Sequence, residues 1–248
     1  MHILAICIII ILVILSMIYM NKIIVYKYGS GDKKIVILAG VHGNEPAGPI
    51  TINKLIEEKY FEKLPRIILT TFKIIIIPRA NEWGLTFGSR YGPTIIRRDI
   101  NRNFRDENNH TKISKVIAKY VDDAFLVLDF HEGWGYGAEN KGSIGSSISP
   151  IYNKHNKWVR ELSEDMQNKL NENIFEMHKK FKILDEIDCN KQDEVKDMLS
   201  CRSYRKNTNY ILIETSGQNN IQPMYIRELQ IRTIVDLSFN KLHKNFIK

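Results

Sequence analysis

Apolar residues fall along this chain in three patterns, and each predicts a different kind of element. The first is one uncharged stretch, Ile3 to Met20, dominated by Ile and Leu. As a helix, its eighteen residues match the ~30 Å hydrocarbon core of a bilayer. A cleaved leader would need a basic start and small residues at the cut. Here the start offers only His2 and the terminal amine, and Ser16-Met17-Ile18-Tyr19-Met20 is bulky. The pattern predicts a single-pass anchor within residues 1–25 and a folded domain over 26–248, with secretion after cleavage as the alternative. Lys22, Lys27, Lys33 and Lys34 all follow the stretch, so the positive-inside tendency places the domain on the interior side.

The second pattern is short, continuously apolar runs of the kind found in strands covered on both faces. They occur at Lys33–Gly40 (KKIVILAG), within Ile67–Pro78, at Phe125–Phe130 (FLVLDF) and at Tyr210–Ile213 (YILI). The third is helical spacing. Ile52, Leu55, Ile56 and Tyr60 mark a helix from Pro46 to about Lys63, and Ile113, Val116, Ile117, Tyr120 and Val121 mark another. Val159, Leu162, Met166 and Leu170 predict a long helix over 156–181. Ile231, Val235, Phe239 and Leu242 predict a last one. Residues 79–111, 133–149 and 185–207 read as loops. Alternation of buried strands with amphipathic helices predicts an α/β fold, a mixed central sheet with helices on both faces, preceded by the N-terminal hydrophobic helix.

Composition changes this picture little. The chain has 248 residues, 44% hydrophobic and 26% charged, enough for one domain with a sizeable core. Its formal net charge is +8, but Lys and Arg are scattered among acids and Asn, and no nucleic-acid motif is present. A basic solvated surface is expected, with no nucleic-acid partner; attraction to anionic lipid is the remaining implication. Of three cysteines, Cys7 lies in the apolar stretch; Cys189 and Cys201 can bridge in an oxidising compartment but make no zinc motif.

Candidate chemistry sits just after the strands, where α/β folds gather function. His42-Gly43-Asn44-Glu45 follows the first run and supplies an imidazole and a carboxylate on a glycine-containing turn. His131 ends the third run, with Asp129 on the same strand face, placed to orient an imidazole. Two His and one Glu leave a fourth position for water, as in catalytic rather than structural zinc sites. Asn101 and Arg102, in Asp99-Ile100-Asn101-Arg102-Asn103-Phe104, offer directional donors suited to a carboxylate. Glu214, ending the YILI run, is a candidate general base and acid. Taken singly, each has a structural alternative: a chance His/Glu pair, a core histidine, a solvated loop, a glutamate turned to solvent. Glu107 and His110 share metal-like spacing but lie in a polar turn with no strand to fix them.

The ordered set HGNE, DINRNF, DFHE and IET resembles the zinc metallocarboxypeptidase superfamily, including its aspartoacylase and succinylglutamate desuccinylase branch. The resemblance covers about residues 33 to 240. It implies one zinc per chain held by His42, Glu45 and His131, substrate carboxylate recognition by Asn101 and Arg102, and proton transfer by Glu214. It also implies an arginine at the developing oxyanion; Arg90 is the best match, with Arg97 and Arg98 as competitors. No match to the superfamily's covering tyrosine is found, and a separate C-terminal β domain is not expected. The implied activity is hydrolysis of an amide bond beside a carboxylate, foremost as a carboxypeptidase-like metallopeptidase. An N-acyl amino acid deacylase is the alternative in the same chemistry. A membrane-anchored binding module without catalysis is the reading of another class.

Overall fold

A computed structural model of the chain describes residues 22–93, 99–105, 111–136, 144–152, 156–184, 189, 195–218 and 220–246. The apolar segment Ile3–Met20 lies outside them, as do Arg97, Arg98, Glu107 and His110. Among the described residues, no helix is long and apolar enough to cross a membrane.

Seven strands form one mixed sheet: β1 (Tyr26–Tyr28), β2 (Lys33–Ala39), β3 (Phe72–Ile77), β4 (Leu126–Trp134), β5 (Ser147–Ile151), β6 (Lys182–Ile183) and β7 (Tyr210–Gln218). Their spatial order is β1-β3-β2-β4-β7-β5-β6. The central strands β3, β2, β4 and β7 are parallel, β1 and β5 pair antiparallel with β3 and β7, and β6 runs parallel to β5. The helices are α1 (Ala47–Glu57), α2 (Arg66–Thr71), α3 (Glu82–Phe87), α4 (Lys112–Val121), α5 (Lys157–Asn171), α6 (Leu199–Arg205) and α7 (Met224–Phe246).

Alternation along the strands separates two cores. Ile35, Ile37, Leu128, Phe130, Ile211 and Ile213 face α1, α5 and α7, whereas Val36, Leu38, Val127, Tyr210 and Leu212 face α4 and α6. Both faces of the central strands are covered, which is why their sequences are apolar without alternation. The mixed sheet with helices on both faces is as the sequence predicts.

Local boundaries depart from the sequence reading for identifiable reasons. The first helix ends at Glu57 rather than near Lys63, because Lys59 adopts a left-handed φ of 57°. The run from Ile67 begins as α2, opened by Pro65, and becomes strand only at Phe72. The 79–111 loop contains α3, whose N-terminus is capped by the Asn81 side chain accepting from Gly84 N, and whose end is set by left-handed Gly88. The long helix stops at Asn171 rather than 181. Ser147–Ile151 and Leu199–Arg205, read as loop, are a strand and a helix. Both are made regular by packing against β7 and by pairing, not by their own pattern.

Candidate metal centre

The HGNE turn leaves β2 and runs directly into α1, with Gly43 N donating to Ser89 O at 3.0 Å. A Cβ on Gly43 would stand 1.8 Å from Gly84 C, so the turn can press against α3 only as glycine. β4 carries Asp129 and His131 on one face of the sheet and Phe130 and Glu132 on the other. Its neighbour β7 places Glu214 in register with His131. Residues separated by 86 positions thereby meet at the carboxyl edge of the parallel strands.

His42, Glu45 and His131 are all buried and offer donor atoms within 4.8 Å of one another. His42 Nδ1 is 2.7 Å from Glu45 Oε1, His131 Nδ1 is 2.8 Å from Glu45 Oε2, and the two Nδ1 atoms are 3.1 Å apart. The far nitrogen of each ring faces an acid. His42 Nε2 donates to Asp99 Oδ1 at 3.0 Å. His131 Nε2 lies 3.3 Å from Asp129 Oδ2, at ion-pair range but without the alignment of a hydrogen bond. The two Nδ1 atoms and the carboxylate converge on one point that protons hold in the metal-free protein; with the protons confined to Nε2, the two lone pairs and the carboxylate there suit a cation. Tetrahedral ligands about 2 Å from zinc stand about 3.3 Å apart, close to the separations seen here. The donor set fits zinc.

The charges around the cluster follow from this crowding. Burial pushes the Glu45 carboxyl up, but the charges and hydrogen bonds of His42 and His131 overrule it and hold it well below the usual range. Burial opposes charge on His131, yet Asp129 and Glu45 hold its imidazolium well above the ordinary value. Burial also acts on Asp99, where the His42 hydrogen bond and the charges of His42, Arg90 and Arg102 keep the carboxylate ionised. For Glu214 burial wins. Reinforced by Glu45 and Asp129 against His131 and Arg90, it pushes the carboxyl up to about 8.

Arg90 lies beside the cluster, with Nη1 3.4 Å from Glu45 Oε1 and Nε donating to Asp99 Oδ2 at 3.0 Å. The Asn101–Arg102 pair sits on a 3-10 turn, Ile100–Arg102, opened by Asp99. Asn101 Oδ1 is occupied by Leu199 N at 3.0 Å, which leaves its amide nitrogen as the group able to donate to a ligand. Arg102 is half-buried and donates to Asn101 O at 3.1 Å.

Several contributors were not singled out in the sequence. Asp99 opens the DINRNF motif and holds His42. Gln218 Nε2 donates to Glu132 O at 2.6 Å and reaches Glu45 Oε1 at 3.3 Å, while Asn44 Nδ2 donates to its Oε1. Tyr210 hydroxyl donates to Asp129 Oδ2 at 2.6 Å. Glu132, next to His131, is buried against Arg227 of α7 and accepts from Ala47 N at the start of α1. A Cβ on Gly217 would land on the Glu132 carboxylate, so glycine makes room for this pair. Only the sequence adjacency of Asp99 and Glu132 to the motifs hinted at any of them.

Residues 31–136 match the family model of the succinylglutamate desuccinylase/aspartoacylase catalytic domain, which bears out the resemblance read from the motifs. None of the curated proteins compared matches the sequence. Among solved structures, the cell shape determinant Csd4 of Helicobacter pylori superposes with a TM-score of 0.70 at 16% identity, over 90% of this chain and 55% of that one. Its mDAP-bound form, described as a D,L-carboxypeptidase, gives 0.68 at 16% identity, over 88% and 54%. A candidate metallopeptidase of Shewanella amazonensis SB2B gives 0.61 at 16% identity, over 90% and 82%. These likenesses establish a shared fold. The chain spans about half the length of Csd4.

Proposed function

We propose that this chain is a zinc-dependent hydrolase that cleaves an amide bond adjacent to a substrate carboxylate, most favourably as a carboxypeptidase-like metallopeptidase. One observation carries the reading: His42, Glu45 and His131 converge as three buried donors backed by two aspartates. The match of residues 31–136 to the desuccinylase/aspartoacylase catalytic domain supports the same chemistry.

A zinc ion held by these three side chains supplies Lewis-acid polarisation of the scissile carbonyl and a more acidic water. The chain's own residues do the rest. Glu214 is the proton carrier: burial favours its neutral form, so the carboxylate can take a proton and the carboxyl return it to the leaving amine. Arg90 presents a guanidinium to the side of the cluster, where it steadies negative charge developing on the carbonyl oxygen. Arg102 and the Asn101 amide nitrogen hold the substrate carboxylate, which fixes the amide in place and removes the entropy cost of encounter. Asp99 ties the two functions together, because its Oδ1 accepts from both His42 Nε2 and Asn101 N.

Peptide substrates are favoured by the structural likeness to Csd4, described as a D,L-carboxypeptidase. The desuccinylase/aspartoacylase match keeps the N-acyl amino acid reading in play. Residues 1–25 are proposed as a membrane anchor. Cys189 and Cys201 form a disulfide, with Cα atoms 5.4 Å apart, which favours an oxidising compartment for the domain over the interior side suggested by the flanking lysines. The test is metal content and hydrolysis of the detergent-solubilised full chain. About one zinc per chain, lost in His131→Ala, is expected, together with release of C-terminal residues from peptides faster than acids from N-acyl amino acids. A wild-type chain that binds no zinc after refolding with the metal sinks the proposal.

A further inference from the structure

The chain enters the fold at the edge that carries the metal cluster. β1 runs antiparallel to β3 with Tyr26 opposite Ile76, so the residues before it emerge at the carboxyl ends of the parallel strands. Ile23 and Val25 pack on the same face of the sheet as Val36, Leu38 and Tyr210, the face on which Asp129 and His131 also lie. Immediately before them in sequence comes the uncharged stretch Ile3–Met20. Five residues, Asn21 to Val25, separate that stretch from β1, and five residues fully extended reach no more than about 18 Å. A bilayer entered by Ile3–Met20 therefore lies against this edge and not against the opposite one.

A second observation points the same way without using that stretch. Large apolar side chains stand exposed on the segments bordering this edge: Ile24 before β1, Phe87 after β3, Trp134 at the end of β4, Met177 before β6, and Ile221 and Tyr225 after β7. Trp134 is 59% exposed, Met177 72% and Tyr225 70%. The level of Met177 follows from pairing, since Lys182 opens β6 opposite Ser147, which itself pairs with Glu214. Contacts join three of these segments, the end of β4, the stretch before β6 and the stretch after β7. The Tyr136 ring lies 5.8 Å from that of His178, and its hydroxyl donates to Ile221 O at 3.5 Å. At the opposite edge the exposed large apolar side chains among the described residues are Ile67 and Tyr204.

We propose that this rim is a docking surface for an anionic lipid bilayer, so that the metal cluster opens toward the membrane and acts on carboxylate-bearing amides carried at the lipid surface. The substrate part rests on the hydrolase reading; the docking part does not. Trp and Tyr with Ile, Phe and Met beside them are the side chains that settle at the boundary of headgroups and acyl chains. A net charge of +8 adds attraction to anionic lipid. The rim and the cluster lie at the same edge of the sheet, so on this proposal insertion shields the site from bulk water and leaves it accessible to headgroup-level substrate.

The tryptophans allow a direct test. Trp134 is on the rim, whereas Trp158 stacks on Phe125 near the opposite edge, ring centroids 5.2 Å apart. The full chain is reconstituted in phosphatidylcholine/phosphatidylglycerol vesicles, about 7:3, with bromine on the acyl chains. In W83F/W158F, Trp134 emission should fall about twofold relative to unbrominated vesicles; in W83F/W134F, Trp158 emission should not change. Because Trp158 is packed, W83F, which leaves it untouched, provides the same answer when compared with W83F/W134F: most of the bromine-sensitive signal should be lost with Trp134, and Trp83, which packs on Phe87 of the rim, is absent from both. Equal quenching of both tryptophans, quenching of Trp158 alone, or an unquenched Trp134 overturns the proposal. A blue-shifted but unquenched Trp134, as a second copy covering the rim would give, overturns it too. Hydrolysis is assayed on the same vesicles with a lipid-anchored peptide, and in detergent, away from any bilayer, with a soluble one. A quenched Trp134 with neither peptide turned over removes the hydrolase reading alone, and turnover with an unquenched Trp134 removes the docking alone.

Discussion

Asp99 Oδ1 accepts from His42 Nε2 at 3.0 Å across 57 positions of sequence, and the same oxygen caps the turn that carries Asn101 and Arg102. A proposed metal ligand and the proposed carboxylate clamp are thus hinged on one atom. Replacing Asp99 with Ala should weaken metal affinity about 10- to 100-fold, the usual cost of losing such a partner. Asp99→Asn keeps an acceptor for the imidazole and should fall between. Chelator competition measures both, with circular dichroism confirming an intact fold. Equal affinity of wild type and Asp99→Ala removes the orienting role.

Glu214 has two expected signatures. Glu214→Gln should retain metal yet lose about 10²- to 10⁴-fold in kcat, the range for a positioned acid–base group. An unchanged kcat would show that another group moves the proton.

The second signature is in the metal-free protein. The folded carboxyl titrates near 8, above the unfolded value near 4.5, so the native state binds the extra proton between those limits. Stability must then fall as pH rises from about 4.5 to 8, by at most about 1.4 kcal/mol per pH unit. Urea titrations across this window should show the decline in the wild type and a shallower one in Glu214→Gln. Parallel slopes would place the Glu214 titration elsewhere.

Glu132 and Arg227 are 1% and 2% exposed and pair beneath the site, with Glu132 also accepting from Ala47 N. Arg227→Met strands a buried carboxylate and should cost about 3–5 kcal/mol. The double change Glu132→Gln/Arg227→Met removes both charges and should recover much of that loss. Additive losses in the double-mutant cycle would mean that the two charges are not coupled.

The Cys189–Cys201 bridge closes a short loop, sequence separation 12, onto the helix whose Leu199 N holds Asn101. Cys189→Ser/Cys201→Ser should lower stability by about 2–3 kcal/mol. It should also raise KM more than it lowers kcat, since the clamp and not the proton carrier is loosened. A selective fall in kcat would contradict that assignment.

How much of this was legible beforehand depends on where the information sits. Val36, Leu128 and Ile213 lie in runs that are apolar because both faces of their strands are buried, and such runs reveal themselves in one dimension. The convergence of His42, Glu45 and His131 was legible because a metal site demands particular donor atoms and strand ends place them predictably. Ser147–Ile151 and Leu199–Arg205 were not, since their regularity is imposed by β7 and its neighbours. Nor was Arg227, an arginine on a helix of otherwise ordinary spacing, whose burial depends on a glutamate 95 positions earlier. The sequence by itself determined the strand runs, the ligand types and the likeness to a hydrolase family. Only the tertiary structure decided that Asp99 backs His42, that Glu214 is raised to about 8, and that the chain enters at the cluster's edge. Periodicity and residue chemistry are local, whereas burial, register and charge proximity exist only once distant segments have met.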